Sequence, residues 1–157
     1  MRWVLFFMEY QIEPYRIEHK AACLAIFKSN MPKYFAEKEL PEFIHWLENG
    51  ALNTPYFIIK KANQIVACGG YYYDSRYEKG GLSWGMVDAT LHGQGIGKVL
   101  TEYRIQHMID AYPNQSCMIE TSQHTFQFYE KLGFVIEKIT PDGFSKGLDN
   151  YLMVLKP

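Results

Sequence analysis

His92-Gly93-Gln94-Gly95-Ile96-Gly97-Lys98 is the stretch that decides the fold. Before it, Leu82 to Asp88 has the look of a strand, after a turn at Lys79-Gly80-Gly81. After it, Ile96, Val99, Leu100 and Tyr103 give an apolar face to a helix that ends near Ala111, with Pro113-Asn114 closing it. Cys117 to Thr121 is again strand-like. Leu82 to Thr121 therefore forms a β-α-β unit, whose crossover is expected to be right-handed with parallel strands. Glycines let the turn adopt positive φ and approach a ligand closely. Unpaired N–H groups at the helix start favour an anion in the same space. The turn reads as a pyrophosphate site, or as a glycine-rich connection holding nothing. A Walker loop would need Gly where His92 stands and Ser or Thr where Val99 stands. A dinucleotide fingerprint fails too: counted from Gly93 its last glycine falls on Lys98, and counted from Gly95 on Leu100.

Outward from this unit, the pattern alternates between the two periods. Toward the N-terminus, Ile65 to Tyr73 and Tyr56 to Lys60 read as strands joined by a hairpin at Lys61-Ala62-Asn63-Gln64. Before them, Glu39 to Asn49 reads as a helix, with Leu40, Phe43, Ile44 and Leu47 on one face, Pro41 in its first turn and Gly50 at its end. Ile17 to Lys28 reads as another, with Ile17, Ala21 and Leu24 on its apolar side and Ser29-Asn30-Met31-Pro32 as its stop. A first strand is expected over Met8 to Ile12, ending before Pro14. Toward the C-terminus come a short helix, Gln123 to Leu132, closed by Gly133, then strands Phe134 to Ile139 and Tyr151 to Leu155 around a loop holding Pro141-Asp142-Gly143. The order β-α-α-β-β-β-α-β-α-β-β describes an α/β layered domain with a mixed sheet.

At 157 residues the chain fits a single domain, 1–157. Hydrophobic residues make up 48% and charged residues 21%, as in ordinary soluble globular proteins. Sixteen basic and 17 acidic side chains leave a formal charge of −1, which argues against a dedicated nucleic-acid binder. No apolar run is long enough to span a bilayer, so no membrane partner is expected. Cys23, Cys68 and Cys117 are odd in number and unpaired in spacing, which fits a reducing, cytoplasmic setting. The five histidines, His19, His45, His92, His107 and His124, lack paired ligand spacing, and no metal is expected. Met1 to Phe7 is apolar but lacks a cleavage site. It reads equally as an extension before a start at Met8 and as a lengthening of the first strand.

Two blocks carry a family resemblance. The turn from His92 to Gly97 is similar to the acetyl-CoA turn of the Gcn5-related N-acetyltransferase (GNAT) superfamily, Gln/Arg-x-x-Gly-x-Gly/Ala. It departs from that pattern at His92, where Gln or Arg is usual, and at Ala89, where Pro is common. Phe128-Tyr129-Glu130-Lys131-Leu132-Gly133-Phe134 resembles the family's FYEKLGF segment, about thirty residues further on as the family requires. The element order of the whole chain also fits. The resemblance implies a mixed, mostly antiparallel sheet with a central parallel crossover flanked by helices.

It also implies roles. The strand Ser83 to Val87 would splay from Cys117 to Thr121, with the acetyl arm and pantetheine in the gap, paired to backbone near Met86 and Val87. The turn His92, Gly93, Gln94, Gly95, Ile96, Gly97 and Lys98 would hold the pyrophosphate through backbone amides; Lys98 either adds a charge or is a solvated helix lysine. Tyr129 would donate to the departing CoA thiolate, for which a phenol within reach is suited; without the family block it would read as a core tyrosine. Many relatives carry a Glu on the strand before the turn, but Leu82 to Val87 holds no carboxylate. Glu120, Asp88 and His124 are candidate bases, with Glu120 first. Ser122 stands where relatives place a pantetheine-contacting Asn, and it equally suits a helix N-cap. Asn30, Tyr34, Phe35 and Tyr72, with Tyr71 and Tyr73 as neighbours, are candidate lining for an acceptor pocket. The implied activity is direct, metal-free transfer of acetyl from acetyl-CoA to a primary amine of a small molecule or peptide. The alternatives are a catalytically silent CoA-binding sensor or interaction module, and a binder of another phosphate ligand such as a nucleotide. The aromatic strands would also suit a homodimer.

Overall fold

The computed structural model describes residues 9–157. Within it, β1 (Gln11–Pro14) is followed by a 3-10 turn (Ile17–His19), α1 (Lys20–Ser29), α2 (Leu40–Glu48) and a short α3 (Gly50–Asn53). Then come β2 (Tyr56–Lys61), β3 (Gln64–Asp74), β4 (Lys79–Val87), α4 (Ile96–Ala111), β5 (Cys117–Thr121), α5 (Phe126–Lys131), β6 (Val135–Ser145) and β7 (Leu148–Leu155). The strands form one seven-stranded sheet in the order β1-β2-β3-β4-β5-β7-β6. Only β4 and β5 run parallel. This is the expected α/β mixed sheet with a central crossover.

Helices cover both faces, and β2 shows why. Tyr56, Phe57, Ile58 and Ile59 are all buried, a continuous apolar run that only a strand covered on both sides can hide. Tyr56 and Ile58 pack with α1 and α2 through Cys23, Phe27, Phe43 and Leu47. Phe57 and Ile59 face the other way, toward the layer that holds α4. The β2–β3 hairpin turns at Ala62-Asn63, both with positive φ (51° and 63°), as a two-residue turn of the twist-matching kind requires.

Several expectations are corrected. Pro14 does not stop β1; it pairs with Phe57 on an edge strand, where its missing N–H costs no ladder bond. Met8, expected at the start of β1, and Met1 to Phe7 lie outside the described residues. The buried face of α1 is Cys23, Ile26 and Phe27; of the expected Ile17, Ala21 and Leu24, only Leu24 packs against the same core, and it is half-buried. The 3-10 turn delays the α-helix to Lys20 and rotates its inner stripe, leaving Ile17 53% exposed. Gly80 and Gly81 are not in a turn but inside β4, opposite Tyr73 and Tyr72; a Cβ on Gly81 would meet the Tyr72 ring. Pro141-Asp142-Gly143 lies within β6 across a register shift, not in a loop. The C-terminal short helix starts at Phe126 rather than Gln123, because Ser122 to Thr125 form a capping turn before it.

Candidate active site

The site begins as a failure of strand pairing. β4 and β5 pair only at Gly80–Cys117 and Gly81–Met118. Beyond those residues each strand follows its other neighbour: β5 pairs along its whole length with β7, and β4 turns with β3. Ser83 to Val87 therefore separates from Ile119 to Thr121, and a slot opens through the sheet. A cavity of about 1030 Å³ fills it. Trp84, Phe35, Tyr34, Glu39 and Glu42 line it on the α1/α2 side, and Leu100, Thr101, Arg104, Phe128 and Tyr129 on the α4/α5 side.

A bulge in β4 shapes the slot wall. Between the pairs Cys68–Met86 and Gly70–Ser83, β3 contributes only Gly69, whereas β4 contributes Trp84 and Gly85. The extra residue is accommodated by Trp84 at φ 42°, a left-handed backbone that non-glycine residues rarely adopt. The Trp84 carbonyl accepts a hydrogen bond from Tyr56 Oη (2.7 Å), and its indole packs among Phe27, Phe35 and Phe43. Below the bulge, the Asp88 N–H donates to the Val66 carbonyl (2.9 Å). Hydrogen-bonded pairs alternate along antiparallel strands. Met86, opposite Cys68, thus shares its backbone with β3, and Val87 turns its backbone toward the slot. Of the two residues expected to meet pantetheine, Val87 is the one whose backbone polar groups are turned away from β3 toward the slot. Its carbonyl already accepts from Asn30 Nδ2 (2.9 Å) and His92 Nε2 (3.0 Å), leaving the N–H on that side.

The glycine turn closes the slot at one end. Gly93 and Gly95 have φ of 83° and 85°, and a Cβ on either would meet nothing, so backbone conformation alone demands glycine there. Gly95 is the N-cap of α4 and offers no side chain to the helix start. Among the described residues, no amide from Gly93 to Lys98 donates to a protein acceptor; the first bond of the helix is from Val99 N–H to the Gly95 carbonyl. That set of unpaired donors, with the helix dipole behind it, fits a diphosphate. Gly97 lies against Phe128 and Val87, which brings the turn, α5 and β4 together. Lys98 Nζ is 3.8 Å from Glu102, one turn on, and its side chain is 44% exposed.

Tyr129 is held by the way α5 ends. Gly133 adopts φ 99°; its N–H donates to the Glu130 carbonyl (3.0 Å), and the Phe134 N–H donates to the Tyr129 carbonyl (3.1 Å). This is a Schellman closure, with the accompanying apolar contact made by Tyr129 and Phe134, whose ring centroids are 5.5 Å apart. The Lys-Leu-Gly-Phe sequence thus locks the helix turn that carries the tyrosine. Its ring is partly buried and lines the slot, and its hydroxyl has no protein partner among the described residues.

The remaining expected residues divide by role. Ser122 is buried and its Oγ accepts from His124 N–H (3.2 Å), so it caps the turn before α5 while lining the cavity. Asn30 is buried and bonds Ile26 and Val87 carbonyls through Nδ2, joining α1 to the end of β4. Tyr34 stands edge-on to His92 and His124, and Phe35 stacks on Phe27, both at the slot mouth. Glu120 and Tyr72 share the α1/α2 face, since Cys117, Ile119 and Tyr71 pack on the other. Burial raises the Tyr72 phenol above its ordinary value, with Glu120 adding to the effect. Glu39 and Glu42 were not expected. Burial pushes Glu39 upward against a hydrogen bond that it accepts from Ala36 N–H (2.7 Å). Arg104 was also missed, although it stands four residues after Leu100 and eight after Ile96, on the stripe that α4 buries.

The sheet thus opens between its parallel strands, and the uncapped start of α4 lines the opening. The chain belongs to the Acetyltransferase (GNAT) family, whose model matches residues 20–134. A search of curated proteins returned no match. Solved structures with the same fold include an N-acetyltransferase from Staphylococcus aureus Mu50 (18% identity, TM-score 0.75, covering 94% of this chain and 98% of that one). Ribosomal-protein-alanine N-acetyltransferase from Brucella melitensis is similar to the same degree (18%, TM-score 0.75, 94% and 99%). So is yncA from Salmonella typhimurium, solved with its cofactor acetyl-CoA (15%, TM-score 0.73, 94% and 93%). Family membership implies acetyl-CoA-dependent acetyl transfer. No described helix is long and apolar enough to cross a membrane.

Proposed function

We propose that the protein moves acetyl directly from acetyl-CoA to a primary amine of a small molecule or peptide. The observation that supports this most is the through-sheet slot, with unpaired amides at one end and an aromatic, carboxylate-bearing mouth on the other face. Acetyl-CoA, when bound, supplies an activated acyl carbon and a thiolate leaving group. The amides of Gly93 to Lys98 hold its diphosphate, and the Val87 N–H pairs with the pantetheine arm. Tyr34, Phe35 and Tyr72 line the acceptor's path, with Asn30 fixing the corner where that path meets β4.

The amine must lose a proton to attack, and free alkyl amines titrate near about 10. Glu120, on the acceptor face, accepts that proton directly or through water and passes it to solvent, and by the same route it takes the second proton that the nitrogen sheds once the N–C bond has formed. The amine lone pair forms the new N–C bond, the C–S bond breaks with its electron pair on sulfur, and Tyr129 returns a proton there. Tyr129 and Glu120 then re-equilibrate with solvent, so the net products are an N-acetyl amine and CoA thiol. Glu39 and Glu42 at the mouth favour an acceptor that is cationic before it reacts. A panel of amines with acetyl-CoA, followed by release of free thiol, tests the reading. Amine-dependent release is expected; tight CoA binding without transfer to any amine would favour a silent binding module.

A further inference from the structure

The inner face of α4 is apolar at Ile96, Val99, Leu100 and Met108, yet it carries Arg104 at 1% exposure. A guanidinium has five N–H groups to place. Nη1 donates to the Gly70 carbonyl (3.2 Å), Nη2 makes a long contact to Thr101 Oγ1 (3.4 Å), and Nε has no partner. No carboxylate among the described residues pairs with it. An unpaired buried cation is costly, so a position of this kind normally has a counter-charge. The sheet is built to admit the guanidinium: a Cβ on Gly85 would lie 2.6 Å from both terminal nitrogens, and one on Gly69 3.2 Å from Nη1. Gly85 belongs to the β4 bulge, and Arg104 lines the slot on the same side as Tyr129.

The diphosphate is poorly placed to be that counter-charge. Arg104 is two turns into α4, roughly 12 Å along the axis from Ile96 at 1.5 Å per residue. The acceptor carboxylates lie across the sheet. Negative charge arising inside the slot itself remains, and it arises at the thioester. We propose that Arg104 is a positioning residue whose buried positive charge stabilises the CoA sulfur as it becomes a thiolate. The inference rests on the acetyl-transfer reading. As the amine nitrogen bonds to the acyl carbon, the C–S electron pair leaves on sulfur, the amine's proton goes to the base and Tyr129 protonates the sulfur. Arg104 exchanges no atom. Its field acts through a region of low dielectric, where a fixed charge is felt more strongly than in water. The same field reaches the slot's surroundings: burial raises the Cys117 thiol to about 12 and also raises the Tyr56 phenol, and Arg104 opposes both shifts.

The test is an ultraviolet thiolate titration of CoA bound to the wild-type chain and to Arg104→Gln, Arg104→Lys and Arg104→Met. Gln retains a donor for the Gly70 carbonyl without the charge, and Lys retains the charge. In the wild type the bound thiol should titrate about one unit or more below free CoA. Gln and Met should return it toward the free value, and Lys should keep most of the shift. For Gln and Met, kcat should fall roughly 10–100-fold with KM for acetyl-CoA within about twofold. The melting temperature of Arg104→Met should hold or rise, since an apolar chain replaces an uncompensated charge. Bound CoA whose thiol titrates alike in wild type and Arg104→Gln would overturn the proposal and leave Arg104 as a packing residue. Failure of the wild type to bind CoA would instead overturn the acetyl-CoA reading beneath it.

Discussion

Tyr129 and Gly95 show how one residue can be tested apart from its neighbours. Tyr129→Phe removes a hydroxyl with no protein partner and leaves the ring packing against Phe128 and Phe134 intact. Its kcat should fall roughly 10–10³-fold, with CoA affinity near wild type, in a chemistry-limited assay. Unchanged turnover would remove the phenol from the mechanism. Gly95→Ala places a Cβ in open space but on a φ of 85°, so strain is its main effect. About 1–2 kcal/mol should be lost in urea denaturation, and CoA should bind more weakly as the amides lose their alignment. The local conformations at both were legible, since a glycine-rich turn and a Gly133-closed helix end are written in neighbouring residues; the role of Tyr129 came from the family resemblance. The spacing from Ile96 and Leu100 puts Arg104 on the buried stripe of α4, but what it faces there, like what Glu39 and Glu42 face, lies on other elements across the slot, and spacing along one helix does not carry that information.

At the scale of elements, the β4 bulge is the part that sequence did not disclose. Its signature is a register difference between two strands, and β4 read alone gives no sign that Trp84 and Gly85 together oppose Gly69. The same gap explains the misplaced turn at Gly80-Gly81: these glycines looked like a chain reversal but serve the close approach of Met108 and the Tyr72 ring. Among the helices α2 and α4 were legible in extent, whereas α1 and α5 start three residues later than expected and α3 begins at Gly50, which was read as a helix end. The face of α1 was not legible either, since a preceding 3-10 turn changes the phase without changing composition. Gly85→Ala tests the bulge directly. Its methyl would be driven into the Arg104 guanidinium, and overpacking of this kind should cost about 1–3 kcal/mol in chemical denaturation. Combined with Arg104→Met, whose side chain can yield, the cost should shrink, a coupling that a double-mutant cycle measures.

For the whole molecule, the first edge of the sheet sets the response to acid. Glu13 on β1 lies 2.9 Å from Lys60 on β2 and 3.7 Å from His19. Its hydrogen bond to Lys60 holds the carboxyl below its ordinary value, with desolvation working against this. A lowered carboxyl contributes stability above its unfolded titration range and loses it as pH falls through the folded one. His19 is lowered mainly by burial, and its Nδ1 already accepts from Arg16 N–H (2.9 Å). Below its ordinary 6.5 the unfolded chain takes up that proton more readily, which also weakens the fold. Glu39, raised by burial, works in the opposite sense, giving up stability as pH rises through its folded value. The melting temperature should therefore drop between about pH 7 and about pH 4, and Glu13→Gln should flatten the lower part of that fall. An unchanged slope would show that the β1 cluster is not responsible.

The opening between β4 and β5 has a consequence for traffic. Because it passes from one face of the sheet to the other, the proposed reaction would let its two reactants come in by separate doors, neither having to vacate the chamber before its companion arrives. Initial-rate lines plotted against one reactant at several levels of the other should then cross, as for a jointly occupied enzyme. Parallel lines would mean that the protein keeps the acyl group to itself between visitors.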